Sequence, residues 1–291
     1  MALKLNVSLT TSAAALATAT VAAAADITNK RKKYKIKLLS TNYYQKSCPK
    51  FEQILQDTTT NKQISFPTTA AATLRLFFHD CFIRGCDASV LISSTHFNKA
   101  EGDADINLSL PGDGFDVVVR AKTALELACP GVVSCADIIA VAARNLVLMI
   151  GGPYYTVNLG WKDSLTSTAY TVDGNLPKPT MPMNQIIQIF QSRGFSVQEM
   201  VALFGAHTIG FSYCKEFSST LYNYSKTSKS APSYNPKFFQ ALRNACANYN
   251  QNPTLSVFND VMSPNKFDNI YIQNLPKGLG EAPWYWDENG R

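Results

Sequence analysis

The stretch of residues 74–91, LRLFFHDCFIRGCDASVL, places an imidazole and a guanidinium on one helical segment. Arg75 and His79 are four residues apart, so on a helix they project from the same face one turn apart. In a dry pocket beside Phe77 and Phe78, they suit cleavage of a polar bond that loses a proton at one atom and gains one at the next. The alternative is a helix end where His79 caps carbonyl groups and Arg75 lies in solvent.

The second half of this stretch offers oxygen ligands. Asp80, Asp87 and Ser89 carry hard side-chain oxygens, and Ile83 and Gly85 can supply carbonyl oxygens. Alternate positions from 83 to 89 can turn their oxygens to one side, which suits calcium with its about six to eight oxygen ligands. The spacing is not that of an EF-hand, and an ordinary Asx turn closed by a disulfide is the alternative.

The chain has two further histidines. His207 follows the apolar run VALFGA, and a neutral imidazole at a helix end is a reasonable metal ligand. A core histidine with satisfied hydrogen bonds is the alternative. His96, in the loop ISSTHFNK, is expected in solvent. A zinc hydrolase that uses His79 and His207 is disfavoured, because neither has a His, Cys or Glu ligand at workable spacing.

Composition indicates a globular chain. The 291 residues are 46% hydrophobic and 16% charged, with a net charge of +6, which disfavours a disordered or coiled-coil chain. Basic residues are scattered apart from the run at 30–37, so nucleic-acid binding is not expected. Transmembrane helices are not expected either, since the longest apolar candidate, 136–150, is short and carries Asp137 and Arg144.

Helical patterns dominate the chain. Capping boxes are predicted at Ser134 with Asp137 and at Ser196 with Glu199. The best strand pattern is YYTVNLG, at 154–160. The result is a mostly α protein with long loops, with helices predicted at 48–60, 68–81, 114–128, 134–150, 184–194, 196–204, 209–222, 236–249 and 267–274.

Both the start of the chain and its cysteines point to an oxidising compartment. Residues 1–25 are rich in Ala, Ser and Thr and end in small residues, which predicts a cleavable targeting segment, with an organellar transit peptide as the alternative to a secretory signal. None of the seven cysteines lies in a metal-type pair. Disulfides fit better, and the odd count leaves one thiol without a partner.

Taken together, LRLFFHDCFIRGCDASVL, ACPGVVSCADIIAVAAR and MVALFGAHTIGFSYC resemble the secreted plant haem peroxidases, the class III family. The resemblance covers residues 44–280. It implies a mainly α, two-lobed fold, with haem b between the lobes, distal and proximal calcium sites, and disulfides. Residues 26–43 form a basic extension, and the tail 281–291 does not resemble the family, so the domain is expected to be incomplete at its C-terminus.

The resemblance assigns roles to the residues already singled out. His79 is the distal acid and base, Arg75 stabilises the developing charge, Asn107 fixes the tautomer of His79, and His207 is the axial ligand of haem iron. Pro177 lies beside the site of aromatic donors. The implied distal calcium ligands are Asp80, Ile83, Gly85, Asp87 and Ser89, and the proximal ones are Thr208, Asp260, Ser263, Lys266 through its carbonyl, and Asp268.

The resemblance also implies the disulfides Cys48–Cys129, Cys81–Cys86 and Cys214–Cys246, with Cys135 as a free thiol. Two departures from the family concern the interior. Trp161 and Lys162 stand where two arginines are usual, so Asp137 is expected to lose an ionic partner, which can cost about 3 to 5 kcal/mol. Phe204 replaces a serine and is expected to crowd the proximal side.

The implied function is reduction of hydrogen peroxide to water with one-electron oxidation of phenolic donors, as in cell-wall cross-linking and the response to oxidative stress. The alternative is an inactive protein of the same fold that binds acidic wall polysaccharide. A monomer is expected, secreted to the cell wall, with the vacuole as the alternative. Asn223 is a glycosylation candidate.

Overall fold

The computed structural model describes residues 39–179, 181–222 and 234–280. The predicted segments 1–25 and 281–291, most of 26–43, and Asn223 therefore lie outside the described residues. Helices predominate, which confirms the mainly α prediction. Within these ranges the α-helices are α1 (Phe51–Ser65), α2 (Thr69–Arg84), α3 (Gly112–Ala128), α4 (Cys135–Met149), α5 (Met183–Ser192), α6 (Val197–Phe204), α7 (Cys214–Tyr222), α8 (Pro236–Ala245) and α9 (Ile270–Asn274), and the strands are β1 (Phe211–Tyr213) and β2 (Ser256–Phe258).

The first lobe consists of α1 to α4. Its central helix, α4, is apolar on all sides, and Ile138, Ile139 and Leu146 are completely buried. A helix that is apolar all round belongs in a core, and α1, α2 and α3 surround it. The predicted helix 134–150 is thus a buried core helix. No helix in the described ranges is both long and apolar enough to cross a membrane.

The second lobe packs on the C-terminal half of α2. Phe82 of α2 contacts Phe190 of α5 and Phe195, with ring centroids 4.9 and 5.9 Å apart. The capping box predicted at Ser196 and Glu199 is present and begins α6. A further apolar cluster joins α7 to α8. Helix α2 therefore contributes to both lobes.

Three disulfides join the elements: Cys48 to Cys129, Cys81 to Cys86, and Cys214 to Cys246. Cys48–Cys129 joins the start of α1 to the end of α3, and Cys214–Cys246 joins α7 to α8. Cys135 forms no disulfide with any described cysteine. Its thiol lies at the start of α4, and burial raises its pKa to about 11, assisted by the charge of Asp163.

Several of the predicted elements are wrong in part, including 48–60, which runs from Phe51 to Ser65, and 236–249, which ends at Ala245. Residues 154–160 form one β-bridge within the described part of the chain, from Leu159 to Ser40, and pair with no described strand. The helix predicted at 209–222 begins only at Cys214, since β1 pairs with β2 first. The last helix begins at Ile270 and not at 267, because Asp268 accepts a hydrogen bond from the Ile270 amide.

Asp137 keeps a full set of partners, which contradicts the expectation of an unpaired carboxylate. It accepts hydrogen bonds from the Tyr44 hydroxyl at 2.6 Å and from the amides of Gly160 at 2.9 Å and Trp161 at 3.3 Å. Backbone donors do not depend on the side chains at 161 and 162. The substitution of the two arginines therefore leaves this buried carboxylate satisfied.

A buried lysine joins α1 to α3. Lys62 has a side chain only 4% exposed, and its ammonium lies 2.8 Å from Asp113 and 2.9 Å from Asp116. Burial opposes its charge, but the hydrogen bonds to both aspartates prevail and raise its pKa. The same hydrogen bonds lower the pKa of Asp113 and Asp116. Both carboxylates therefore stabilise the fold above their unfolded pKa near 4.

We predict that Lys62→Met lowers the free energy of unfolding by about 1 to 3 kcal/mol at pH 7, because two partly buried carboxylates lose their cation. The matched control is Lys99→Met, whose exposed pair with Asp105 at 3.3 Å contributes little. Urea unfolding measures both. As the pH falls through the lowered pKa values of the aspartates, the difference should shrink; equal losses for the two variants would contradict this role for Lys62.

Candidate functional site

Arg75 is fixed by one residue of the loop before α3. Its guanidinium donates from Nη1 to the carbonyl of Ser109 and from Nη2 to the Ser109 hydroxyl, both at 2.8 Å. Burial lowers its pKa, while the charges of Tyr213 and Glu216 act in the opposite direction. Arginine stays protonated in proteins, so Arg75 is a positioned positive charge in a largely desolvated place. The alternative of a solvated Arg75 is excluded.

His79 is oriented by Asn107. The Nδ1 atom of His79 lies 2.6 Å from Asn107 Oδ1, and the Asn107 amide donates to the carbonyl of Glu101 at 2.7 Å. Because the amide nitrogen of Asn107 is used in this way, its oxygen accepts the Nδ1 proton. This arrangement leaves the Nε2 lone pair of His79 available as a base.

The electrostatic surroundings keep His79 neutral. Burial lowers its pKa to about 3, and the charge of Arg75 acts in the same direction. The hydrogen bond with Asn107 opposes both effects. A neutral imidazole beside a fixed cation can take up a proton from a bound ligand and return it, as the sequence predicts.

His207 lies at the end of α6, in the 3-10 turn Gly205–Thr208. Its Nδ1 atom donates to the carbonyl of Phe204 at 3.0 Å, which leaves Nε2 with an available lone pair. Burial lowers the pKa of His207, the carbonyl opposes this, and the charge of Arg75 adds to it. The side chain of His207 is half-buried.

The charge of Arg75 lowers the pKa of both histidines, so both lie near its guanidinium, and we call the region that they share the cleft. An aromatic wall connects them, with ring centroids 6.0 Å apart for His79 and Phe78, 6.4 Å for Phe78 and Phe190, and 5.7 Å for Phe190 and Phe204. Phe204 lies 6.2 Å from the ring of His207. The cleft thus presents two imidazoles and one guanidinium among apolar rings.

The distal oxygen set lies directly behind His79. Asp80 is 1% exposed, and its Oδ2 accepts from the Ala88 amide, while its Oδ1 is buried and accepts no hydrogen bond from any described residue. Burial raises the pKa of Asp80 well above its usual value, and the charge of Asp87 adds to this. An orphaned carboxylate oxygen at such a place fits a cation. Ser89, which is fully buried, donates to Glu101 at 2.9 Å.

The proximal oxygen set surrounds the turn after β2. Ser263 donates to Asp260 at 2.9 Å and also lies 3.1 Å from Asp268. Thr208, next to His207, donates to the carbonyl of Lys266 at 3.4 Å. The Oδ2 atom of Asp268 is buried and accepts no hydrogen bond from the described residues. All five predicted members of this set are therefore brought together.

No three His, Cys, Asp or Glu side chains converge as a metal site within the described ranges. Both oxygen sets are of mixed composition, since hydroxyl and carbonyl oxygens accompany the carboxylates. Pro177 lies partly exposed in the loop that precedes α5. His96 is exposed, as expected.

Two residues of the site, Glu101 and Ser109, are not predicted by any sequence pattern. Glu101 is 1% exposed; its carboxylate accepts from Ser89 and Thr171, and its carbonyl holds Asn107. It is one of several acidic residues in a polar loop, so no local pattern distinguishes it. Ser109 lies in no pattern that predicts its role, although its carbonyl and its hydroxyl both accept hydrogen bonds from the Arg75 guanidinium.

Known proteins are similar to this chain over most of its length. The family model described as Peroxidase matches residues 53–283. Peroxidase 63 of Arabidopsis thaliana is 64% identical over 242 residues, which are 83% of this chain and 72% of that protein. The chain belongs to the peroxidase family. Two other Arabidopsis thaliana proteins are similarly related: Peroxidase 31 is 64% identical over 83% of this chain and 75% of its own length, and Peroxidase 65 is 58% identical over 84% and 72%.

Membership of the peroxidase family makes this chain a peroxidase, and its mainly helical fold with disulfides agrees with the plant peroxidases. The inactive alternative is not favoured.

We predict that Asn107→Val slows peroxide reduction by this peroxidase about 10- to 100-fold, because the imidazole of His79 loses the partner that fixes its tautomer. The measurement is the second-order rate constant with hydrogen peroxide. Gln240→Val is the matched control, since this amide is exposed on α8 and bonds only Asn244 among the described residues. A normal rate for Asn107→Val would rule out the positioning role.

Proposed function

We propose that this peroxidase binds haem b in the cleft between His79 and His207. It reduces hydrogen peroxide to water there and oxidises small phenolic donors in one-electron steps. The proposal is supported by two imidazoles that a row of aromatic rings connects, and by one fixed guanidinium whose charge acts on both. Family membership supports haem in general, and the residues present fit it.

The fit to haem rests on His207 and the cleft walls. The Nδ1 proton of His207 is given to the Phe204 carbonyl, so Nε2 carries the lone pair of the neutral imidazole. A single neutral imidazole would suit a protein ligand of haem iron, and His207 would supply it. The rings of Phe78 and Phe204 are partly exposed and apolar, as a flat macrocycle requires. When bound, haem supplies the iron that accepts oxygen from peroxide and the electron-transfer path to donors.

His79 moves the proton. Its Nε2 lone pair takes the proton from one oxygen of peroxide and returns it to the other, so that the leaving oxygen departs as water. The Nδ1 hydrogen bond to Asn107 stabilises the positive charge that forms transiently on the ring. Arg75 stabilises the negative charge that develops on the leaving oxygen, and Ser109 holds the guanidinium in place.

Calcium is proposed in both oxygen sets. Asp80, with Asp87 and Ser89, would hold one ion, together with the carbonyls of Ile83 and Gly85. Asp260 and Asp268 would hold the second, together with Thr208, Ser263 and the carbonyl of Lys266. The orphaned oxygens of Asp80 and Asp268 support the proposal, because a divalent cation would pair both of them.

Several finer features belong to the same proposal. Pro177 would lie beside the bound phenolic donor. Secretion to the cell wall is inferred from the predicted targeting segment and the disulfides. A role in oxidative stress is inferred from the removal of peroxide. Acidic wall polysaccharide is a candidate partner for the net positive charge, and the protein would act as a monomer.

The test compares variants of the chain's three histidines. We predict that His207→Ala loses tight haem binding, measured by titration of the absorption spectrum. We expect His79→Ala to keep haem and to lose about 10²- to 10⁴-fold in the rate with hydrogen peroxide. His96→Ala, in an exposed loop, is the control and should retain both properties. Normal haem binding by His207→Ala would contradict the axial assignment.

The rate of peroxide reduction should show an acid limb set by His79. Because burial and Arg75 lower the pKa of His79 to about 3, we predict a constant rate from about pH 5 to 8 and a fall near its pKa. Arg75→Leu removes the charge that opposes protonation, so the limb should move to higher pH. The haem spectrum recorded at each pH shows that haem is retained. A limb that stays in place in Arg75→Leu would contradict the coupling.

A further inference from the structure

The two oxygen sets differ in whether a cationic side chain pairs with one of their buried carboxylates. No described cation forms an ion pair with Asp80, whereas the Lys266 ammonium lies 3.9 Å from the buried Oδ2 of Asp268. This distance is too long for a direct hydrogen bond but short enough for attraction between the charges. Lys266 is thus both the carbonyl donor of the proximal set and the carrier of a positive charge at its edge.

The path of the Lys266 side chain is defined by a glycine. A Cβ atom on Gly151 would lie 3.5 Å from Cγ and 3.7 Å from Cε of Lys266, so the aliphatic stem passes directly over this residue. Gly151 has a φ of +97°, a conformation that favours glycine. The side chain of Lys266 remains 65% exposed while that of Asp268 is only 12% exposed. The ammonium therefore approaches the carboxylate from the solvent side.

We propose that Lys266 is an internal cation of the proximal oxygen set and competes there with calcium. The inference rests on the proposed calcium site and adds a control of its affinity. Asp260 and Asp268 together supply two negative charges, and one ammonium beside them cancels part of that field. The affinity of this set for calcium is therefore lower than it would be without the ammonium. In the absence of calcium, the ammonium reduces the repulsion between the two carboxylates.

The charge on Lys266 can be removed without removing the proposed ligand, because the ligand is its backbone carbonyl. Lys266→Met keeps an unbranched stem over Gly151 and loses the ammonium. Lys266→Arg keeps the charge, and Lys46→Met makes the same change at an exposed position before α1. Asp268→Asn weakens the proximal set and identifies which calcium-binding step belongs to it.

Calcium titration calorimetry of the full chain gives the affinity, and thermal unfolding in chelator and in calcium gives the stability. We expect Lys266→Met to bind calcium at the proximal step on the order of tenfold more tightly, the effect of one partly solvated charge near a divalent ion. The same variant should unfold at a lower temperature than the parent chain in chelator. Lys266→Arg and Lys46→Met should resemble the parent chain in both measurements.

Equal calcium affinity for Lys266→Met and the parent chain would overturn the inference and leave the calcium site intact. If neither chain shows a binding step that Asp268→Asn removes, the proposed proximal calcium site fails, and competition at it fails as well. A proximal step that appears only in Lys266→Met supports the inference in its strongest form, with the ammonium replacing the ion in the parent chain.

Discussion

The hydrogen bond between His79 and Asn107, at 2.6 Å, is the interaction on which the arrangement of the cleft depends. It joins α2 to the loop that precedes α3, and the same loop holds Arg75 through Ser109. Glu101 extends the connection to Ser89 and therefore to the distal oxygen set. The loop that precedes α3 thus fixes the tautomer of His79 and the position of the Arg75 guanidinium. It also contacts the distal oxygen set.

Much of this site could be predicted from sequence because its geometry is local. The helical spacing of Arg75 and His79 places them on one face without any tertiary information, and the capping box at Ser196 begins the helix that leads to His207. Glu101 could not be found in this way. Its role exists only because the chain folds Ser89, Thr171 and Asn107 around it, and sequence separation hides such contacts.

The errors in the predicted elements have the same cause. YYTVNLG has the alternation of a strand, but a strand needs a neighbouring extended segment, and among the described residues Ser40 alone pairs with it. Residues 211–213 look helical in isolation and become β1 because β2 is available to pair. Asp137 does not have the ionic partner that the sequence led us to expect. The Tyr44 hydroxyl and two backbone amides donate hydrogen bonds to it instead. Because two of these donors are backbone amides, Asp137 keeps its hydrogen bonds when neighbouring side chains are substituted.

The disulfide between Cys48 and Cys129, which are 81 positions apart, encloses Arg75, His79 and Asn107 in one covalent ring. In the chain-entropy description, closing a loop of this size restricts the unfolded chain by about 4 to 5 kcal/mol. The ring has a second consequence. A protease that cuts one exposed loop between these two cysteines opens the backbone but releases no fragment. The severed ends stay tethered, so all the distal groups remain on one molecule until a reductant reaches the bond.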